Sequence, residues 1–149
     1  MKTVILESPF ASGLTPKDLN IAYANQCMYD CIKRGEAPFA SHLLYPAVLD
    51  DNNAEERILG IKMGYAWWTF ADHVVFYTDL GWSNGMIKAL QLAVRSQTKF
   101  WIRSLKGVPQ MPPVISDPET EQSIQARLDR SHAEDKKNDR ETEEAGTAS

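Results

Sequence analysis

The sequence predicts an α/β domain built on a parallel sheet, and three observations carry that expectation. Short runs rich in β-branched and aromatic residues recur along the first two thirds of the chain. Stretches with helical spacing and helix-capping residues separate them, so strand and helix alternate. Helical crossovers are the connection that parallel strands require, and they cover both faces of the sheet. At 149 residues the chain is long enough for one domain with a sizeable core.

The first strand is expected over Thr3 to Ser8, an apolar run suited to burial on both faces. A helix then runs from Thr15, an N-cap with Pro16 at the first helical position, to a stop at Gly35. Its apolar stripe is Ile21, Ala24, Met28, Cys31 and Ile32. Ala37 to Pro46 reads as a second strand with its exit loop. The acidic linker that follows caps a second helix through Asp51 or Asn52. That helix extends to about Phe70 and is expected to bury Ile58, Leu59, Met63 and Ala66. His73 to Asp79 is the third strand, Ser83 caps a helix reaching about Thr98, and Lys99 to Leu105 is the fourth strand. Two segments follow from this pattern: an α/β domain over 1–106, and a proline-rich exit with a polar, disordered tail over 107–149.

Charge and composition exclude several functions. From Ser116 onward ten acidic residues face five basic ones, so the tail carries −5 and the rest is near neutral. Neither part has the basic stripe of a duplex-binding protein. No apolar run reaches membrane-spanning length, and the N-terminus lacks a signal-peptide pattern, so a cytoplasmic protein is expected. Cys27 and Cys31 are spaced four apart on one helix face and read as core thiols; neither a metal nor a cofactor is expected. The dinucleotide and P-loop glycine patterns are both absent.

In a parallel sheet, ligands gather at the carboxyl ends of the strands beside helix N-termini. Three loops meet there. The loop after the first strand supplies Glu7, Ser8 and Phe10, the second supplies His42, and the third supplies Asp79, Trp82, Ser83, Asn84 and Gly85. A carboxylate ending a buried strand is costly unless paired or facing a pocket, which points Glu7 into the pocket. For Asp79, a turn cap and a contact to a sugar hydroxyl stand as equal alternatives. Ser83 is a helix cap that could also donate to a ligand. His42 reads first as a structural histidine. Trp82 either stacks on a base or packs over its loop. Adjacent Trp67 and Trp68 cannot both face one core, so one is expected at the surface or in a subunit interface.

The order and spacing of "ILESPF", "ASHLLY" and "YTDLGWSNGM" resemble the nucleoside 2-deoxyribosyltransferase-like superfamily, and within it a branch found in phages and prophages. The resemblance spans about Lys2 to Leu105. It implies a flavodoxin-like three-layer sandwich with a four- to five-stranded parallel sheet. It also implies a nucleoside or nucleotide ligand and a homo-oligomer, and for a viral chain a place in the host cytoplasm. Enzymes of that superfamily break the bond between sugar and base with a helix glutamate after a Gly-Met-like pair. Here Ile87, Lys88, Ala89, Leu90 and Gln91 follow Met86, and none is a carboxylate. Two functions are therefore expected in competition. One is a binding protein that sequesters or senses a nucleotide. The other is an N-glycosidase or deoxyribosyltransferase working through a relocated carboxylate, Glu7 or Asp79.

Overall fold

A computed structural model describes residues 1–10 and 15–113, with 126, 133, 136, 137, 140, 141 and 144–147 of the polar tail. Four strands, β1 (Lys2–Glu7), β2 (Glu36–Phe39), β3 (His73–Tyr77) and β4 (Phe100–Arg103), form one parallel sheet in the order β2-β1-β3-β4. Helices α1 (Lys17–Lys33), α2 (Ser41–Leu44), α3 (Ala54–Ala66) and α4 (Asn84–Arg95) complete it, with short 3₁₀ turns at Tyr45–Ala47 and Trp67–Phe70. This is the expected flavodoxin-like architecture.

Strand alternation divides the core. Val4, Leu6, Val75, Tyr77 and Trp101 pack with Tyr23, Cys27 and Cys31 of α1. Ile5, Val74, Phe76, Phe100 and Ile102 pack on the other face with α4 and Trp68. Glu7 follows Ile5 in the alternation, so its side chain leaves the sheet on the α4 side. Both cysteines are buried free thiols, and burial pushes Cys31 up to about 11, which keeps it unreactive. The α1 layer also seals an ion pair that the sequence reading did not foresee. Arg103 donates from both terminal nitrogens to Glu36, at 2.7 and 2.9 Å, while His73 lies 3.2 Å from the same carboxylate.

Several expectations need correction. The buried residues of α1 are Asn20, Tyr23, Ala24, Cys27 and Cys31, and Ile32 points outward. Buried Asn20 is bound at both ends of its amide: it accepts from the Thr15 hydroxyl and donates to the Phe10 carbonyl. Asn53, not Asp51 or Asn52, caps α3, accepting from the amides of Glu55 and Glu56. Within α3 only Gly64 is buried, while Ile58, Leu59, Met63 and Ala66 are exposed. The helix rests mainly on α2 and the neighbouring turn, with Tyr65 reaching the core on the α4 side of the sheet. A Cβ at Gly64 would come within 2.7 Å of the Ser41 Oγ, and one at Gly60 within 3.3 Å of Leu49. Past the boundary expected at 106, the exit chain is described as far as residue 113. Gln110 is fastened to the end of β3, its amide donating to the Thr78 hydroxyl at 2.8 Å. Most of the expected disordered tail lies outside the described residues.

Candidate functional site

The carboxyl ends of β1 and β3 open on a cavity of about 340 Å³, closed on its other sides by α2, α3 and the first turn of α4. At the end of β1, the Glu7 carboxyl enters the cavity with no hydrogen-bond partner among the described residues. Burial without a compensating charge or donor pushes it up to about 8, so the group is neutral at pH 7. Next to it, the buried Ser8 hydroxyl shares a 2.8 Å hydrogen bond with Nε2 of His42. Nδ1 of that ring is buried and has no partner among the described residues, and burial lowers the imidazole to about 4. His42 is therefore an uncharged polar group, not a cation. Phe10 packs edge-on against it at 5.8 Å, and the Asn20 amide fixes the Phe10 carbonyl.

The opposite wall is the loop between β3 and α4. Trp82 stacks on Phe76 at 5.5 Å and lines the cavity. Ser83 caps α4, its hydroxyl accepting from the Met86 amide at 3.3 Å. Ser83, Asn84 and Gly85 bring the start of α4, with its unpaired amides, to the cavity. No acidic residue lies anywhere on α4. Seven of the eight residues expected to bind ligand (Ser8, Phe10, His42, Trp82, Ser83, Asn84 and Gly85) thus line one cavity together with Glu7.

Asp79 does not join them, and its bonds are those of the turn cap that stood as the alternative to a sugar contact. It lies outside the cavity lining, and its carboxylate is fully engaged elsewhere. Tyr23 and Ser104 donate hydroxyl hydrogen bonds at 2.5 Å, and the amides of Leu105 and Lys106 donate at 3.0 and 3.1 Å. Burial raises its pKa, but these four donors outweigh that and hold it below the usual carboxylate range. Asp79 is the clamp that turns the chain after β4.

Other cavity residues went unnoticed in the sequence. Tyr45, Asp51, Arg57, Tyr65 and Lys88 all line it. Arg57 sits 3.7 Å from Asp51, and burial together with the Glu7 carboxyl raises the Tyr65 hydroxyl. One signal was available: Gly60 and Gly64 are spaced four apart, which marks a helix face in close contact and so places Arg57 and Ile61 beside it. Among the described residues, no group of three His, Cys, Asp or Glu side chains is gathered to hold a metal, and no helix is long and apolar enough to cross a membrane.

Over residues 2–103 the chain matches the family described as a domain of unknown function, DUF7768. It belongs to that family. The DUF7768 domain is also similar in structure to a 2-deoxyribosyltransferase from the psychrotolerant bacterium Bacillus psychrosaccharolyticus. The two share 17% sequence identity over 81% of each chain, with a TM-score of 0.52. At that identity the likeness is one of fold. No curated protein matches the DUF7768 chain.

Proposed function

We propose that this DUF7768 protein binds a nucleoside or nucleotide in the cavity between β1, α2, α3 and α4. One observation carries the reading: residues scattered over three loops converge on a single cavity that offers neutral polar groups and aromatic faces around a helix start. Sugar hydroxyls and base edges need such paired donors and acceptors, and Trp82 and Phe10 supply surfaces for a flat ring. Arg57 and Lys88 suit a phosphate at the rim. Because α4 carries no carboxylate, retention rather than cleavage is the primary function. For a chain of the phage-associated branch, this is capture of a nucleotide signal in the host cytoplasm. In this reading the functional unit is the segment 1–106 with its exit, and the polar tail is accessory.

Glu7 favours a second reading, because an unpartnered neutral carboxyl in a cavity is a proton donor in waiting. As an N-glycosidase, Glu7 would pass its proton to the departing base while the C1′–N bond breaks. Water would then add its hydroxyl to C1′ and leave its remaining proton on the Glu7 carboxylate.

One experiment tests both. The protein is incubated with a panel of nucleosides and 5′-nucleotides, and thermal shift and free base are followed together. A shift of a few degrees without base release supports binding. Base release that disappears in Glu7→Gln supports the enzyme. No shift and no release with any member of the panel would overturn both.

A further inference from the structure

Trp82 does not hold its place in the cavity wall unaided. One ring face lies on Phe76, and its indole N–H donates to the main-chain carbonyl of Gln110 at 2.9 Å. Gln110 is itself fastened twice. Its amide donates to the hydroxyl of fully buried Thr78 at 2.8 Å, and its side-chain amide donates to the Asp79 carbonyl at 3.3 Å. Thr78 and Asp79 begin the very loop that ends in Trp82 and Ser83. That loop turns through Gly81, whose amide donates to the Thr78 carbonyl at 3.0 Å and whose φ is +88°. Upstream, the Asp79 carboxylate grips Ser104, Leu105 and Lys106, which aims the exit chain across the loop. The loop and the exit chain are thus cross-linked at both ends of a short span.

We propose that Gln110 is a positioning residue of the cavity: its main chain bridges Thr78 to the Trp82 indole and holds that ring in the wall. Gln110 lies beyond the family match, which ends at residue 103, and beyond the boundary expected from the sequence. The site therefore includes a piece of chain that belongs to no strand or helix of the domain. A bridge of hydrogen bonds holds the ring in one orientation, whereas apolar stacking on Phe76 alone leaves it free to slide. The consequence for ligand affinity rests on the nucleotide-binding reading above; the bridge itself does not.

The test labels the full-length protein with 5-fluorotryptophan, giving four fluorine signals for Trp67, Trp68, Trp82 and Trp101. Trp82→Phe assigns the Trp82 signal. Gln110→Pro removes the amide donor to Thr78, and in this variant the Trp82 signal should move or broaden while the other three stay fixed. Gln110→Ala keeps the main-chain bonds, so its Trp82 signal should match the parent. Thr78→Val deletes the acceptor from the other side and should reproduce the proline effect; it decides the matter if Gln110→Pro disturbs all four signals. An unmoved Trp82 signal in Thr78→Val and Gln110→Pro overturns the proposal, as does an equal change in Gln110→Ala. A parallel titration with 5′-AMP and 5′-dAMP should show affinity falling roughly fivefold in Gln110→Pro, the worth of about one hydrogen bond. If neither nucleotide binds the parent, the fluorine spectra still judge the bridge.

Discussion

Glu7 and His42 line the same cavity, and burial acts on them in opposite senses. Both are held neutral: the acid is raised to about 8 and the imidazole lowered to about 4. The effect on stability follows from counting protons in the folded and unfolded chain. The unfolded Glu7 ionises near its ordinary 4.5 while the folded one stays protonated, so its contribution falls as pH rises from 4.5 to 8. The unfolded His42 binds a proton below its ordinary 6.5 while the folded one does not, so its contribution rises with pH from 4 to 6.5. Between 4.5 and 6.5 the two slopes cancel. From pH 6.5 to 8 Glu7 acts alone, and about 2 kcal/mol should be lost. Glu36 adds an acid limb. Burial raises it, but Arg103 and His73 outweigh that and hold it near 2, so stability drops again as pH falls below 4.5. Urea unfolding across pH 4 to 9 should show a plateau and then a decline above 6.5. In Glu7→Gln the decline should vanish, and stability should instead rise up to pH 6.5 and level off. A parent protein with no loss above pH 6.5 would show that Glu7 is already ionised at neutral pH.

At the scale of elements, α4 was the legible helix, whereas α1 turns a different set of residues inward from the one its spacing suggested. The cap at Ser83 and the apolar positions of α4 lie in a strongly one-sided pattern, and the structure follows it. In α3 the apolar residues are spread around the helix, so spacing alone could not say which face packs. The contact is made by absent side chains, Gly60 and Gly64, which no hydrophobic pattern reveals. The same logic explains Asp79. Its side chain leaves the sheet toward Tyr23 on α1, while Glu7 leaves toward α4, and a loop position in the sequence carries no record of which face it takes. The close contact of α3 gives a direct test. Alanine at Gly64 favours the helix by about 1 kcal/mol in isolation. Here its Cβ would lie 2.7 Å from the Ser41 Oγ and 3.0 Å from the Ser41 Cβ, so α2 has to move. Gly64→Ala should therefore destabilise the protein by about 1–3 kcal/mol in urea unfolding. On the proposed function it should also weaken binding in the cavity, because His42 sits beside Ser41 on the displaced helix. A more stable variant with unchanged binding would mean that α2 yields without affecting the cavity.

Across the whole molecule, the four strands and their parallel direction were readable, because short apolar runs alternate with helical stretches along the chain. The attachment of Gln110 was not, since it is made by hydrogen bonds to its main chain and carries no compositional mark. The surface of α3 holds the remaining question of scale. Ile58, Leu59 and Met63 are exposed along the helix, Trp67 is 47% exposed, and Phe70 is 74% exposed in the turn that follows. Trp67 packs against Phe39 and Phe70, and its indole donates to the Tyr45 hydroxyl at 2.9 Å. Tyr45 lines the cavity, so this apolar surface adjoins the site. Trp67 and Phe70 touch each other and are exposed together, an arrangement that monomeric proteins seldom leave in water. A second copy of this chain, meeting the first through the same surface about a two-fold axis, would cover both patches at once. Sedimentation velocity at micromolar concentration should then find a dimer, and Phe70→Glu should give a monomer, since two carboxylates would be buried near the axis without partners. A parent protein that sediments as a monomer would remove the self-association reading and leave the cavity, complete within one chain, to act alone.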